Sequence, residues 1–276
     1  MLDPGSKRHE DFRTDPFPVW ESLRHDHPVW YNEVTKTWIL TRYHDVVAAF
    51  GDSDAYSNSI YAASLGRVFG PTLLQMDGRD HVVRRTMIAP QMMGKRLEGY
   101  RSMIENAATL LIDQFRDEQA VDLVAVFSTW LPVNVICRML GLPTADMAQF
   151  HSWYQTIMVG FVGNASQRGE AFAAVRSFSD YCLPIIVERR ANPGEDFISR
   201  IIHAEADGQK LTDAEVCSFL SAILVAGGET TDGAISGMWS NLLADREQME
   251  AVAATRNVSM MPSVRRCAIR SRSRIK

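Results

Sequence analysis

Glu229 and Thr230 stand side by side in the string Ala226-Gly227-Gly228-Glu229-Thr230-Thr231. A carboxyl next to a hydroxyl can take up a proton and hand it on, which is general acid–base work. The string lies inside a long apolar run, where two adjacent glycines cost about 1 kcal/mol each relative to alanine in a helix. Thr230 and Thr231 are β-branched and can bond back to a carbonyl one turn earlier, which bends helices. A long helix with such a weak point lets something come close to its backbone. A flat cofactor is one candidate. A crossing helix packed on the glycines is another, and Glu-Thr-Thr alone reads equally as a solvated triplet.

A second pair, His81 and Arg85, lies in Met76-Asp77-Gly78-Arg79-Asp80-His81-Val82-Val83-Arg84-Arg85. Four residues apart on a helix, they share one face, with β-carbons about 6 Å apart. An imidazole beside a guanidinium suits a carboxylate ligand. Taken alone, the pair also reads as surface charge answering an acidic body.

These residues need long elements to hold them. Thr212-Asp213-Ala214-Glu215 is a capping box, with Thr212 at the N-cap and Glu215 three positions on. The apolar run Phe219 to Ala226 follows, and helical pattern continues to about Leu243. About thirty residues make a helix about 45 Å long. Upstream, Asp15-Pro16 starts a helix that Pro28 ends. Val29 to Asn32 and Thr37 to Thr41 read as an edge hairpin, with a short helix from His44 to Phe50. Gly51 to Gly78 reads as a long loop. Helices follow from Leu97 to Phe115, from Leu123 to Leu140, from Thr144 to Phe161 and from Gln167 to Arg190. A last short one ends at Asp207-Gly208. Gly141-Leu142-Pro143 closes the second of these.

The chain has 276 residues, 46% of them hydrophobic and 22% charged, as in an ordinary globular protein large enough to bury its own core. It has no run of eighteen apolar residues, so no membrane helix is expected, and its polar start reads as neither signal nor anchor. Four cysteines without a Cys-x-x-Cys pair argue against zinc and against a disulfide framework, and fit a cytoplasmic location. Lys plus Arg is 29 and Asp plus Glu is 33, a net charge of −4. Six of the basic residues lie in 265–276, which leaves 23 against 33, or −10, over 1–264. A body of that sign excludes nucleic acid as a partner.

Ala226 to Thr231 resembles the oxygen-activating segment of the central long helix of the cytochromes P450. That pattern is Ala or Gly, Gly, any residue, Asp or Glu, Thr, then Thr or Ser, and every position matches. Met-Asp-x-x-x-His-x-x-x-Arg resembles the helix after the substrate loop of the same family, with Gly78-Arg79 where Pro-Pro or Pro-Glu is common. The resemblance runs to about residue 260. It takes in Asp15-Pro16-Phe17, the early hairpin, Leu140-Gly141-Leu142-Pro143 and Asn192-Pro193-Gly194-Glu195-Asp196-Phe197.

The resemblance implies a mainly α (α+β) fold, helix-rich with a small N-terminal β-sheet, truncated after the central long helix. It implies haem b, with Ala226 and Gly227 lying against it and His81 and Arg85 holding a propionate. It assigns Thr230 to hydrogen-bonding oxygen at the iron and Glu229 to proton delivery. The activity implied is a monooxygenase inserting one atom of O2 into a small apolar organic substrate, with electrons from ferredoxin and ferredoxin reductase. Tyr56 to Leu74 and the region from Phe150 to Phe172 would shape the substrate pocket.

The family's iron ligand is a cysteine thiolate in a Phe-x-x-Gly-x-x-x-Cys-x-Gly loop. Cys137, Cys182 and Cys217 sit in apolar helical runs as small core hydrophobes, and Cys267 lacks the flanking residues, so no metal ligand is expected in this chain. The family's Glu-x-x-Arg helix is missing too. The reading is therefore residues 1–264 as the distal part of a P450 domain and 265–276 as a basic, disordered tail. A frameshifted or truncated gene product would look like this, whereas a genuine basic tail would serve an anionic partner. The chain alone is expected to be inactive, to retain haem poorly and to expose Phe219, Ile223 and Ile235. Two rivals are a non-catalytic remnant that only binds a ligand or partner, and a helical ligand-sensing regulator. The regulator needs a basic DNA-contacting helix, and the one basic cluster lacks helical patterning.

Overall fold

The computed structural model describes residues 15–254 except 34, 64 and 163, so the tail 265–276 lies outside the described residues. The chain forms two compact units, one up to Ser57 and one from Asn58 onward, described separately below.

In the first unit, helix α1 (Pro16–Asp26) starts as proline chemistry dictates. Proline stands in the first turn, and the Asp15 carboxylate accepts from Phe17 N at 3.2 Å. Strand β1 (Val29–Asn32) pairs antiparallel with β2 (Thr37–Leu40), Val29 opposite Leu40 and Asn32 opposite Thr37. Helix α2 (Tyr43–Gly51) follows.

The second unit opens where a loop was expected. Asn58–Ala63 and Leu73–Gln75 are 3-10 turns, and α3 (Leu65–Phe69) lies between them. Local hydrogen bonds order this stretch. The Asp77 carboxylate accepts from Asn58 N and Nδ2, both at 2.9 Å, which joins the two ends of the segment. The Gln75 amide donates to Gly70 O at 2.7 Å. Such pairings leave no hydrophobic period, so the sequence pattern hides them.

The helices that follow are α4 (Gly78–Ile88), α5 (Lys95–Asp113), α6 (Trp130–Leu140), α7 (Met147–Val162), α8 (Ala165–Ala191) and α9 (Phe197–His203). A two-residue-strand hairpin, β3 (Glu205–Ala206) and β4 (Gln209–Lys210), leads into α10 (Asp213–Ala244), and α11 (Arg246–Ala254) comes last. The helix expected from Leu123 to Leu140 is divided: a π-helical turn at Val124–Ser128 precedes α6. Gly141 ends α6 with φ +79°, and Leu142 N donates back to Cys137 O at 2.8 Å, a Schellman closure that a left-handed residue makes possible.

Helices α7 and α8 pack along their length, and α10 lies against α6, α7 and α8. At the α7–α8 crossing, a β-carbon on Gly160 would stand 2.3 Å from that of Ala171, so only glycine permits this approach. Phe150 is fully buried among Trp153, Phe178 and Tyr181, edge-on to the last two. Phe219 is 3% exposed. The expectation that it would lie open therefore fails, because α10's N-terminal half is already enclosed by helices of this chain. Ile223 and Ile235 are partly buried against the two core clusters.

Candidate functional site

Helix α10 is built from its first turn. Glu215 N donates to Thr212 Oγ1 at 3.2 Å and Thr212 N to Glu215 Oε2 at 2.9 Å, so both halves of the capping box form. The helix then runs unbroken to Ala244, and the double glycine does not open it. The reason lies in what fills the glycine positions. A β-carbon at Gly227 would stand 2.9 Å from Ile136 Cδ1 of α6. One at Gly228 would stand 3.3–3.5 Å from the Tyr154 ring of α7. Two side chains from two crossing helices are thus seated in adjacent holes. Gly227, expected against a cofactor, leaves room for the Ile136 side chain.

The opposite face is open. Ala226, Glu229 and Thr230 are exposed. Ala226 and Thr230, four apart, lie one above the other, and the Thr230 hydroxyl donates to the Ala226 carbonyl. This is the back-bond expected of a mid-helix threonine. It fixes the hydroxyl's rotamer and leaves its oxygen free to accept.

His81 is half-buried and Arg85 exposed on α4, and neither side chain has a hydrogen bond or ion pair among the described residues. Their neighbour Arg84 is engaged. Its Nε and Nη2 donate to Glu215 Oε1 at 3.3 and 2.8 Å, with both side chains under a fifth exposed, and its Nη1 donates to Gln209. Arg79 pairs with Asp207 at the hairpin turn. Gly78, where the family favours proline, has φ +54°, which a proline ring cannot adopt. Helix α4 is therefore moored at the first turn of α10. Glu229 comes fourteen residues after Glu215, about 21 Å further along the axis. The structure thus brings Ala226, Glu229 and Thr230 together, and His81 with Arg85, as two separate sets.

Behind the open face lies a polar group that the sequence did not flag. Asp232 is raised by burial, against the Ser236 hydroxyl that donates to it at 3.1 Å. His151 is lowered by burial and lies 5.1 Å from the Trp130 ring, its Nε2 buried with no hydrogen-bond partner among the described residues. Tyr154, edge-on to His151 at 5.0 Å, is pushed up to about 12 by burial and then by the charges of Asp232 and Glu229. These residues come from two helices about eighty positions apart, and no spacing within either helix announces them.

Haem fits this chain on one side only. The exposed Ala226 and the unengaged His81 and Arg85 would suit a planar, carboxylate-bearing group. No described cysteine suits the iron. Burial pushes the Cys137 thiol up to about 12, Cys217 to about 11 and Cys182 up likewise, so none is a thiolate near neutral pH. Among the described residues there is no metal-ligand cluster, and no helix is long and apolar enough to cross a membrane.

No protein-family model matches the chain. Pulcherriminic acid synthase of Bacillus subtilis is 30% identical over 254 residues, which cover 90% of this chain and 62% of that protein. Putative cytochrome P450 123 of Mycobacterium tuberculosis is 31% identical, over 84% of this chain and 58% of its own. Among solved structures, cytochrome P450 CYP109Q5 from Chondromyces apiculatus superposes with a TM-score of 0.81 at 27% identity, covering 95% and 66% of the two chains. The polyketide synthase cytochrome P450 PksS of Bacillus subtilis gives 0.79 at 29%, covering 91% and 64%. The chain spans about three fifths of the length of these relatives.

Proposed function

Since the chain belongs to the cytochrome P450 family, we propose that it forms the distal side of a haem-dependent monooxygenase acting on a small apolar organic substrate. Haem, when bound, supplies the redox-active iron at which O2 is reduced, with electrons from a ferredoxin and its reductase. The chain's own residues would hold the group and manage protons. Ala226 keeps the face flat. Thr230, held by its bond to the Ala226 carbonyl, presents its oxygen as an acceptor, and its proton passes on only when that bond is given up. Glu229, the next residue back, resupplies that proton from its carboxyl. His81 and Arg85 bind the carboxylates of the cofactor as two charge-assisted donors. The observation that carries this reading is the two-sidedness of α10: Gly227 and Gly228 are filled from behind while Ala226, Glu229 and Thr230 lie open in front.

The buried, protonated state of the three described thiols favours a second reading for the chain by itself, namely binding without turnover. One titration tests both. Haem added to the purified chain should bind saturably, and His81→Ala with Arg85→Ala should weaken binding by at least about tenfold, since each charge-assisted bond is worth about 1.5–3 kcal/mol. Equal affinity in the double variant refutes the assignment. In the reduced, carbon-monoxide-bound form, a thiolate-type Soret band would refute binding without turnover.

A further inference from the structure

Three segments of the second unit meet at one phenol. Tyr100 of α5 donates its hydroxyl to Gln91 O at 3.1 Å and accepts from Arg200 Nη2 of α9 at 3.2 Å. Gln91 lies in the 3-10 turn Ala89–Met92, which continues directly from α4. It is 7% exposed, and its Oε1 is buried with no hydrogen-bond partner among the described residues. Arg200 Nε is buried and unpartnered in the same way. Buried polar atoms are almost always paired, so each of these asks for a partner. One is an acceptor and the other a donor.

The two orphans lie on the same side of Tyr100. A guanidinium is a planar, rigid fork, and Nε and Nη2 form one edge of it. Nη2 is the atom that Tyr100 holds, so the orphan donor sits on the edge beside the phenol, whose other bond is to Gln91. Reversing the Gln91 amide does not help. Its Nε2 donates to Met87 O of α4, and the reverse would set an oxygen against that carbonyl and an N–H against the guanidinium. A group that both donates and accepts is needed between them. An anion would suit the guanidinium, whose other bonds go to the Glu195 carbonyl and to Tyr100, but the Gln91 oxygen would repel it. Water suits both atoms, and the Tyr100 oxygen is a third partner; buried waters typically make about three such bonds.

We infer that one buried water bridges Gln91 Oε1 and Arg200 Nε. Arg84 and Arg79 moor α4 to α10 and to the β3–β4 hairpin. The water fastens the turn at the C-terminal end of α4 to α9. The helix that carries His81 and Arg85 is thus held along its whole length, and this holds whether or not those residues bind haem.

The test uses the full chain with nitrogen-15-labelled arginine, in buffer free of alcohols and phosphate. The Arg200 Nε–H, identified by its loss in Arg200→Lys, should show cross-peaks to water of opposite sign in the laboratory and rotating frames. That pattern marks a long-lived contact rather than proton exchange with bulk water. Gln91→Met keeps the length of the side chain and removes the acceptor, so the cross-peaks should disappear or fall several-fold. Their absence from the unsubstituted chain overturns the inference by itself, even if the variant fails to fold. Undiminished cross-peaks in folded Gln91→Met overturn it too. A saturable shift of the Arg200 Nε–H on adding inorganic phosphate would reveal an anion site and overturn the water, whereas an unmoved signal supports it.

Discussion

Replacing Gly141 by alanine perturbs the chain at two linked points. The residue sits at φ +79°, where a β-carbon costs about 1–2 kcal/mol. That same β-carbon would stand 2.5 Å from Asp196 Cβ and 2.7 Å from its Cγ, closer than atoms can approach. Asp196 must therefore move. It is the N-cap of α9, accepting from Ser199 N at 2.8 Å, and it holds Arg189 Nε at 2.9 Å. Losing the cap adds about 1 kcal/mol. The sum, about 2–3 kcal/mol, is a large part of a total stability of about 5–15 kcal/mol. At about 2–4 °C per kcal/mol for a domain of this size, Tm should fall by about 4–12 °C. Calorimetry or circular dichroism reads the shift. Gly99→Ala is the control, because no atom lies within 4 Å of the new β-carbon at this second-turn position of α5. It should gain up to about 1 kcal/mol. A Gly141→Ala loss below about 0.5 kcal/mol, with the control behaving as expected, would show that αL strain and the Asp196 contact do not govern this corner.

Burial raises the Glu215 carboxyl, but the Thr212 backbone and the Arg84 guanidinium outweigh it and hold it below its ordinary value. Its contribution is present above the unfolded value of about 4.3 and disappears as pH falls through the folded one. The urea midpoint should drop on acidification below that value, and Glu215→Gln should flatten the drop; an identical profile in the variant would contradict this. Cys137, Cys182 and Cys217 are buried with raised thiols. A thiol reagent at pH 8 should therefore react with no more than one of the four cysteines until denaturant is added, and fast reaction at a second would show the core to be open. Phe150→Ala should cost about 3–5 kcal/mol, because the ring is fully buried among three aromatic neighbours; a loss under 1 kcal/mol would mean that the α7–α8 core repacks.

Elements whose causes are local were legible in the sequence. Thr212 with Glu215, Asp15 with Pro16, and Gly141 each mark a helix end by chemistry within a few residues, and each mark fell within a residue or two of the observed end. Other features depend on partners remote in sequence. Nothing near Gly227 tells that Ile136 fills it, and nothing near Arg84 names Glu215. The β3–β4 hairpin is too short to show alternation, although Asp207-Gly208, with φ +54° and +68°, is the turn that makes it. Helix α11 was missed because its nine residues carry neither a proline start nor a glycine stop.

The mooring of α4 also sets a timetable for making the protein. Arg84 and Glu215 are 131 residues apart, and Arg79 and Asp207 are 128 apart. At about 5–20 residues per second, a ribosome needs about 7–26 s to travel from one end of that link to the other. During this interval α4 has left the ribosome with three cations, Arg79, Arg84 and Arg85, and the acidic partners of Arg79 and Arg84 do not yet exist. The capping box closes only when Glu215 emerges, and the same carboxylate then receives Arg84. Completion of one helix N-terminus thus ends the wait for a helix synthesised long before it.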